Sequence, residues 1–438
     1  MQAKIYARVN ELQPQLVAWR RDFHRYPESG WMEFRTASLV AQELSRLGYE
    51  VKLGKEVIAE ETRQGVPPCQ ELDQAWQRAK EEGGPSQFLE PMKGGFTGVI
   101  GILKGKSSGP TVALRFDMDA NDLSESTSKD HRPFRAGFSS RHPQVAHACG
   151  HDGHVAIGLG VAHILAQFAS DIQGQVLLIF QPAEEGVRGA RSMVAAKVLN
   201  GCHYFLSGHL GFGNSMLGEI GCGKEKFLAT TKLDAIFTGT PAHAGMNPDA
   251  GKNALLAAAL AAVSIHGIPR HQGGADRVNV GYLAAGSGRN VVPDWAELRL
   301  ETRGETTEIN RDMDERVRAG LLGAAQMQQV ACEIKVVGSA PTAQSSPALA
   351  SVVRDVAKAQ PWFQGFVDEA RFSGSEDVAY MMRAVQDQGG KAAYIVFGTP
   401  VGTGHHTGEF DFDEKVLSQA VTLYSLLVAE CMSKDSHN

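Results

Sequence analysis

Cysteine is sparse in this chain. Only six occur in 438 residues: Cys69, Cys149, Cys202, Cys222, Cys332 and Cys431. Scattered so widely, they offer no disulfide framework and fit reduced thiols in a cytoplasmic protein. A surplus of charge is also missing. Lys and Arg number 43 against 49 Asp and Glu, a net charge of −6. That balance gives no electrostatic reason to expect nucleic acid or a membrane surface as partner. No uninterrupted apolar run reaches the length of a membrane span. The first thirteen residues are polar and helix-like, without the apolar region of a secretory signal. Internal repeats, low-complexity tracts and charge blocks are absent too.

What is present points to a large α/β protein. At 438 residues the chain exceeds what one hydrophobic core usually serves, so two domains are expected. Helical spacing of Leu12, Leu16 and Trp19, then of Ala37, Val40, Ala41 and Leu44, predicts helix on either side of a break at Pro27 and Gly30. Apolar strands are expected over 97–103, 111–116, 174–180 and 204–209, with an apolar helix over 155–168. Each of the last three strands ends abruptly in polar chemistry: Asp117-Met-Asp119, Gln181-Pro-Ala-Glu-Glu-Gly186 and His209. Reactive residues just past the carboxyl ends of buried strands describe an α/β sheet with a site at its edge. Residues 55–94 read as an insertion on the surface, with a charged amphipathic helix over 71–82. From about residue 226 the texture changes to alternating strands and two long helices, an α+β domain inserted into the α/β one. The expected boundaries are 1–224 and 340–438 for the larger domain and 225–339 for the inserted one.

The densest chemistry is His147-Ala-Cys-Gly-His-Asp-Gly-His154. A thiol, imidazoles and a carboxylate at this spacing are ligand types for a first-row transition metal. Asp117, Asp119, Glu184, Glu185, His209, His405 and His406 fall at the same kind of strand-end position. Carboxylates gathered there are costly unless cations offset them, and two metal ions would. A dinuclear site acidifies a water and polarises a carbonyl, while one carboxylate beside it moves the proton. Glu184-Glu185 can supply both jobs, one side chain as base and the other as ligand.

Arg20-Arg-Asp-Phe-His-Arg-Tyr-Pro-Glu28, Asp117-Met-Asp119, His147 to His154, Gln181 to Gly186, Asn290-Val-Val-Pro293, Gly374-Ser-Glu-Asp377 and His405-His406 occur in this order. Together they resemble the amidohydrolase branch of the carboxypeptidase G/aminoacylase metallopeptidases, which includes hippurate hydrolase and the plant auxin-conjugate hydrolases. The resemblance spans nearly the whole chain. The insertion, the stretch 117–125 and the stretch 404–414 are most similar to the members acting on aminobenzoyl-glutamate.

The resemblance implies a catalytic domain with a mixed sheet flanked by helices and a ferredoxin-like inserted domain for dimerisation or closure. It implies Cys149 as bridging ligand, His151, Glu185, His209 and His406 as the other ligands, and Glu184 as general base. The ions would be manganese or zinc. Asp117 and Asp119 occupy positions of a ligand and its orienting aspartate, with roles left open, and His405 is the lesser candidate beside His406. His147, Asp152 and His154 are expected to support the ligands from behind or to hold the fold. His243 is implied to steady the oxyanion in a partner's site, and Asn290 and Arg303 to bind the substrate carboxylate. The expected reaction is cleavage of p-aminobenzoyl-glutamate by a homodimer or by a heterodimer with a related subunit. The alternatives are general N-acyl-amino-acid hydrolysis, dipeptide hydrolysis, or activity that needs the related second subunit. Two departures, Asn121-Asp122 after Ala120 and Thr407-Gly408 after His406, put the local loop shape in question.

Overall fold

Helix α1 (Gln2–Arg25) opens the chain and buries Ile5, Val9, Leu12, Leu16 and Phe23 along one face. The computed structural model describes residues 2–212, 216–223, 227–368 and 374–434. It divides the chain into two units: Met1–Lys226, Ala343–Phe372 and Asp377–Asn438 in one, Phe227–Thr342 and Ser373–Glu376 in the other. The expected junction at 224/225 lies outside the described residues.

In the first unit α1 is followed by α2 (Phe34–Arg46), β1 (Glu50–Leu53), α3 (Cys69–Glu81), α4 (Ser86–Leu89), β2 (Val99–Lys104) and β3 (Ser107–Asp117). Then come α5 (Arg132–Arg135), α6 (His151–Gln167), β4 (Gln173–Gln181), α7 (Ala190–Ala195), β5 (Tyr204–Leu210) and β6 (Glu219–Gly221). The second unit holds β7 (Ala229–Thr238), α8 (Ala254–His266), β8 (Asp276–Ala285), β9 (Trp295–Gly304), α9 (Thr307–Met327) and β10 (Ala331–Ala340). The chain returns to the first unit with α10 (Pro347–Lys358), β11 (Gly365–Val367), α11 (Val378–Gln386), β12 (Lys391–Phe397) and α12 (Lys415–Lys434).

The larger sheet is mixed, in the order β1-β2-β4-β3-β5-β12-β6-β11. Its centre is parallel: β3 pairs with β4 and with β5, and β5 pairs with β12. Helix α6 is apolar almost all round and buried almost all round, as a helix enclosed by sheet and neighbouring helices must be. A Cβ at Gly158 would stand 2.7 Å from both Phe116 and Phe180, so this residue sets how closely the helix lies on the sheet. Among the described residues one segment, Lys415–Ser433, is long and apolar enough to cross a membrane, yet 67% of that window is buried inside the protein.

The four-stranded sheet runs β10-β7-β9-β8, all antiparallel, and α8 and α9 help form its core. Alternating burial along β9 leaves one face of the strand outside that core. The insertion carries the expected amphipathic helix and packs one side of it inward. Leu72, Ala75, Ala79, Leu89 and Met92 are buried, and the last four join the main core cluster. Four short elements, α7, α11, β6 and β11, carry too few residues for a periodic signal and were not expected.

A buried ionic network ties α1 to the start of α6 and to the segment before α12. Arg20, fully buried, donates to Asp152 at 2.8 Å and to Asp411 at 2.9 Å, and lies 3.3 Å from Glu414. His24 bridges Asp152 and Glu125, at 2.8 Å to each. Removing the guanidinium takes away the one cation shared by all three acids and leaves a buried gap, with His24, Arg132 and Arg21 as their other partners. Arg20→Ala should therefore cost about 3–5 kcal/mol of unfolding free energy, read from the denaturation midpoint. A loss below ~1 kcal/mol would show that water replaces the cation freely.

Candidate metal centre

Parallel pairing puts the polar strand ends side by side. Asp117, last in β3, pairs with Gln181, last in β4, and β5 ends in His209-Leu210. Gly150, at φ +94°, turns the chain into α6, so that Cys149 and His151 flank the bend. The Cys149 Sγ then lies 3.4 Å from His209 Nε2.

Among the donor groups that result, two are built on the thiol. Cys149, His151 and His209 form one, and Cys149, Glu185 and His406 the other, with donor atoms within 4.8 Å of one another in each group. Cys149 is common to both. Glu184 approaches His151 and Glu185, with 4.0 Å between its Oε2 and His151 Nε2, but it shares no group with Cys149.

The donor set fits divalent transition ions. His151 Nδ1 lies 2.8 Å from the Asp119 carbonyl and His209 Nδ1 2.9 Å from the Leu210 carbonyl. A carbonyl only accepts, so both Nδ1 atoms carry the hydrogen and the two Nε2 lone pairs are left for a ligand. His151 Nε2 is buried and has no hydrogen-bond partner. Thiolate, imidazole and carboxylate together suit such an ion.

The electrostatics point the same way. Burial opposes the His151 cation, yet Asp117, Asp119 and Glu185 raise its pKa to about 10. Burial works against ionised Glu185 too, but His406 and His151 bring it down to about 2. A cluster that drives a buried imidazole to hold a proton calls for a cation at that place. His209 is held neutral by burial and by the neighbouring histidines, which is the ligand form.

Asp117 and Asp119 are hydrogen-bonded to the chain around the site, and Asp117 also forms a donor group with His151 and His154. Both Asp119 oxygens are taken by backbone amides, Glu184 N at 3.0 Å and Glu185 N at 2.8 Å. Asp117 Oδ1 accepts from His154 Nδ1 at 2.5 Å and Oδ2 from Arg115 at 2.6 Å. His154 Nε2 in turn accepts from Leu210 N at 3.2 Å. His405 stacks on Phe212, centroids 4.0 Å apart, and its Nε2 lies 3.0 Å from the Leu210 carbonyl. His406 adopts φ +59° and places Nε2 3.3 Å from Glu185 Oε1. His147 is buried, with its pKa lowered to about 3 chiefly by burial. Asn121, a departure from the family pattern, accepts from Ala148 N at 3.2 Å and pairs with Ala146 in a backbone bridge. That residue shapes the cysteine loop.

In the second unit, His243 and Asn290 lie on facing segments: His243 bridges to Val291, and Ala244 N donates to the Asn290 carbonyl at 3.0 Å. His243 Nδ1 accepts from Gly245 N at 3.1 Å and Met246 N at 3.2 Å, so a neutral ring carries its hydrogen on Nε2. Arg303 does not join them. It stands near the far end of β9, in a fork with Glu301 at 2.9 and 3.2 Å. A strand that long spans roughly 30 Å, so Asn290 and Arg303 of one such unit cannot grip one carboxylate together.

Three supporting residues were missed by reading the sequence. Arg115, on the same face of β3 as Asp117, is 3.3 Å from Asp377. Asp377 Oδ2 accepts from Gly189 N at 3.0 Å and Ala190 N at 2.9 Å. Glu33, fully buried, accepts from Ala183 N at 2.7 Å. A cation two residues before Asp117 in an otherwise apolar strand was the available signal for Arg115. Asp377 closes the Gly374-Ser-Glu-Asp377 motif, which carried no role of its own, and Glu33 gave no signal.

Known proteins resemble this chain over most of its length. The family model "Peptidase family M20/M25/M40" matches residues 113–430. Indole-3-acetyl-aspartic acid hydrolase of Enterobacter agglomerans is 50% identical, over 95% of this chain and 96% of its own length. One subunit of the p-aminobenzoyl-glutamate hydrolase of Escherichia coli (strain K12) is 49% identical, over 94% and 95%. The crystal structure of the aminobenzoyl-glutamate utilization protein from Klebsiella pneumoniae superposes with a TM-score of 0.85. It shares 43% identity, over 96% of this chain and 97% of that one.

Because Cys149 alone belongs to both donor groups, Cys149→Ala should empty both positions. His209→Ala and His406→Ala should each leave about one ion per chain, as a site that keeps its other ligands does. Elemental analysis after desalting reads the difference, and full occupancy in Cys149→Ala would reject the shared ligand.

Proposed function

The chain belongs to peptidase family M20/M25/M40 and is a metal-dependent hydrolase, and we propose that it cleaves p-aminobenzoyl-glutamate to p-aminobenzoate and glutamate. The observation that carries this reading is the 49% identity to the Escherichia coli hydrolase over nearly the whole of both chains. A thiol-centred donor set with a carboxylate beside it supports the chemistry.

In this reading Cys149, His151, Glu185, His209 and His406 hold two divalent ions, manganese or zinc. Such ions supply a Lewis acid for the amide carbonyl and acidify the attacking water. Glu184, off the shared thiol but 4.0 Å from His151, takes the proton and passes it to the leaving nitrogen. His243, with its hydrogen on Nε2, donates to the oxyanion. Arg303 exchanges Glu301 for the substrate carboxylate, which its planar fork fits equally well.

Since one inserted domain cannot bring His243, Asn290 and Arg303 together, the reading requires two chains, His243 and Asn290 from one and Arg303 from the other. Leu256, Leu260 and Val263 are exposed along α8, and Tyr282 and Leu283 on the edge strand β8. That apolar helix face and open strand suit pairing with a second copy or with a related subunit.

A second reading is favoured by the 50% identity to indole-3-acetyl-aspartic acid hydrolase: the same amide chemistry on an indole-acetyl conjugate of aspartate. A substrate panel separates the two. With manganese or zinc, p-aminobenzoyl-glutamate should exceed indole-3-acetyl-aspartate and hippurate in kcat/KM by about tenfold, the worth of one well-placed group. The reverse order would favour the second reading, and turnover only after adding a related subunit would assign the activity to the pair. Glu184→Ala should lower kcat by about 10²–10⁴-fold with both ions retained, while loss of metal would mean that base and ligand are exchanged.

A further inference from the structure

We propose that Glu33 is a positioning residue for Glu184, holding the backbone turn that aims the base. Glu33 stands at the N-cap of α2, yet its side chain makes no capping bond there. The carboxyl is spent elsewhere. Oε1 accepts from Trp31 N at 3.1 Å and from Ala183 N at 2.7 Å, and Oε2 accepts from the Thr97 hydroxyl at 2.6 Å.

Ala183 immediately precedes Glu184 and is fully buried at φ +52°, a left-handed conformation that an L residue seldom adopts without outside support. Its carbonyl is fixed as well, accepting from Arg188 N at 3.1 Å and Gly189 N at 2.9 Å. The next two amides, Glu184 N and Glu185 N, are taken by Asp119. Three successive N–H groups of the loop are thus held by two buried carboxyls from other parts of the chain. Glu33 holds the first and sets the left-handed turn. Asp119 holds the pair that follows. Without Glu33, Ala183 N faces a buried space with no acceptor, and the turn can relax towards ordinary φ, swinging the Glu184 side chain.

The proposal rests on Glu184 being the base, and its test keeps the two ideas apart. Glu33→Ala, Glu33→Gln, Glu33→Asp and Glu184→Ala are made in the full chain. Hydrogen–deuterium exchange, metal content and turnover of p-aminobenzoyl-glutamate with manganese are then measured. In Glu33→Ala, amide exchange in peptides covering 182–189 should accelerate while β3 and β4 stay protected and both ions are retained. Its kcat should fall on the order of 100-fold with KM within about twofold, as for a displaced catalytic group. Glu33→Gln keeps an acceptor oxygen at the same reach and should restore the protection and most of kcat, the Thr97 hydroxyl reversing its role. Glu33→Asp, one methylene short of Ala183 N, should behave like Glu33→Ala, and serves in its place if the alanine variant fails to fold. Unchanged exchange at 182–189, acceleration spread throughout the chain, or Gln impaired while Asp is normal would each overturn the proposal. Turnover surviving in Glu184→Ala would instead reject the base assignment, with the exchange result still deciding whether Glu33 holds the turn.

Discussion

Anionic donors taken out of water must meet positive charge or hydrogen-bond donors where they stand, and the larger unit is organised around that demand. Asp117, Asp119, Glu184, Glu185 and Cys149 crowd the carboxyl edge of one sheet, most of them buried. The protein answers in different ways at neighbouring atoms. Asp119 is satisfied by backbone amides, and Asp117 by His154 and Arg115. Cys149 and Glu185 gather imidazoles instead, and the carboxylates around His151 raise its pKa to about 10. The first two carboxylates are held by the chain around them. The others are left with the character of ligands.

Support for these groups comes from far along the chain. Arg20 and His24 on α1 hold Asp152, the neighbour of His151. Asp377 holds the amides that follow the Glu184-Glu185 turn, and Arg115 and Gln181 reach Asp377 from the strands. The insertion takes part as well. Arg188 donates to the Glu185 carbonyl at 2.8 Å and to the Gly65 carbonyl at 3.0 Å, linking the Glu184-Glu185 loop to residues absent from a minimal α/β plan. Fixed in so many places, the loop tolerates positive φ at Ala183, Gly186 and Val187, conformations that would otherwise relax.

Much of the fold was legible because long elements announce themselves by period. The strands ending in Asp117, Gln181 and His209–Leu210 read as apolar runs, being covered on both faces, and the expected ends fall within a few residues of the observed ones. Strands β6 and β11, three residues each, could not be read in this way. The inward packing of the insertion was not legible for a different reason. A charged amphipathic helix looks alike whether its apolar stripe meets a core or lies over a loop, and Ala75 and Ala79 are too small to announce burial.

The sequence by itself determined the chemistry: which donor types exist, that they fall at strand ends, and that their order matches a family of metal-dependent hydrolases. These are properties of residue type and spacing, written along the chain. Only the tertiary structure decided which donors share a place. It put Cys149 in both groups, set Glu185 rather than Glu184 beside that thiol, turned His405 onto Phe212, and separated Arg303 from Asn290 by the length of a strand. Adjacent residues such as Glu184 and Glu185, or His405 and His406, have almost identical sequence surroundings. What tells them apart is the direction of a backbone turn, and contacts with residues such as Glu33 and Asp119, distant in the chain, set that direction.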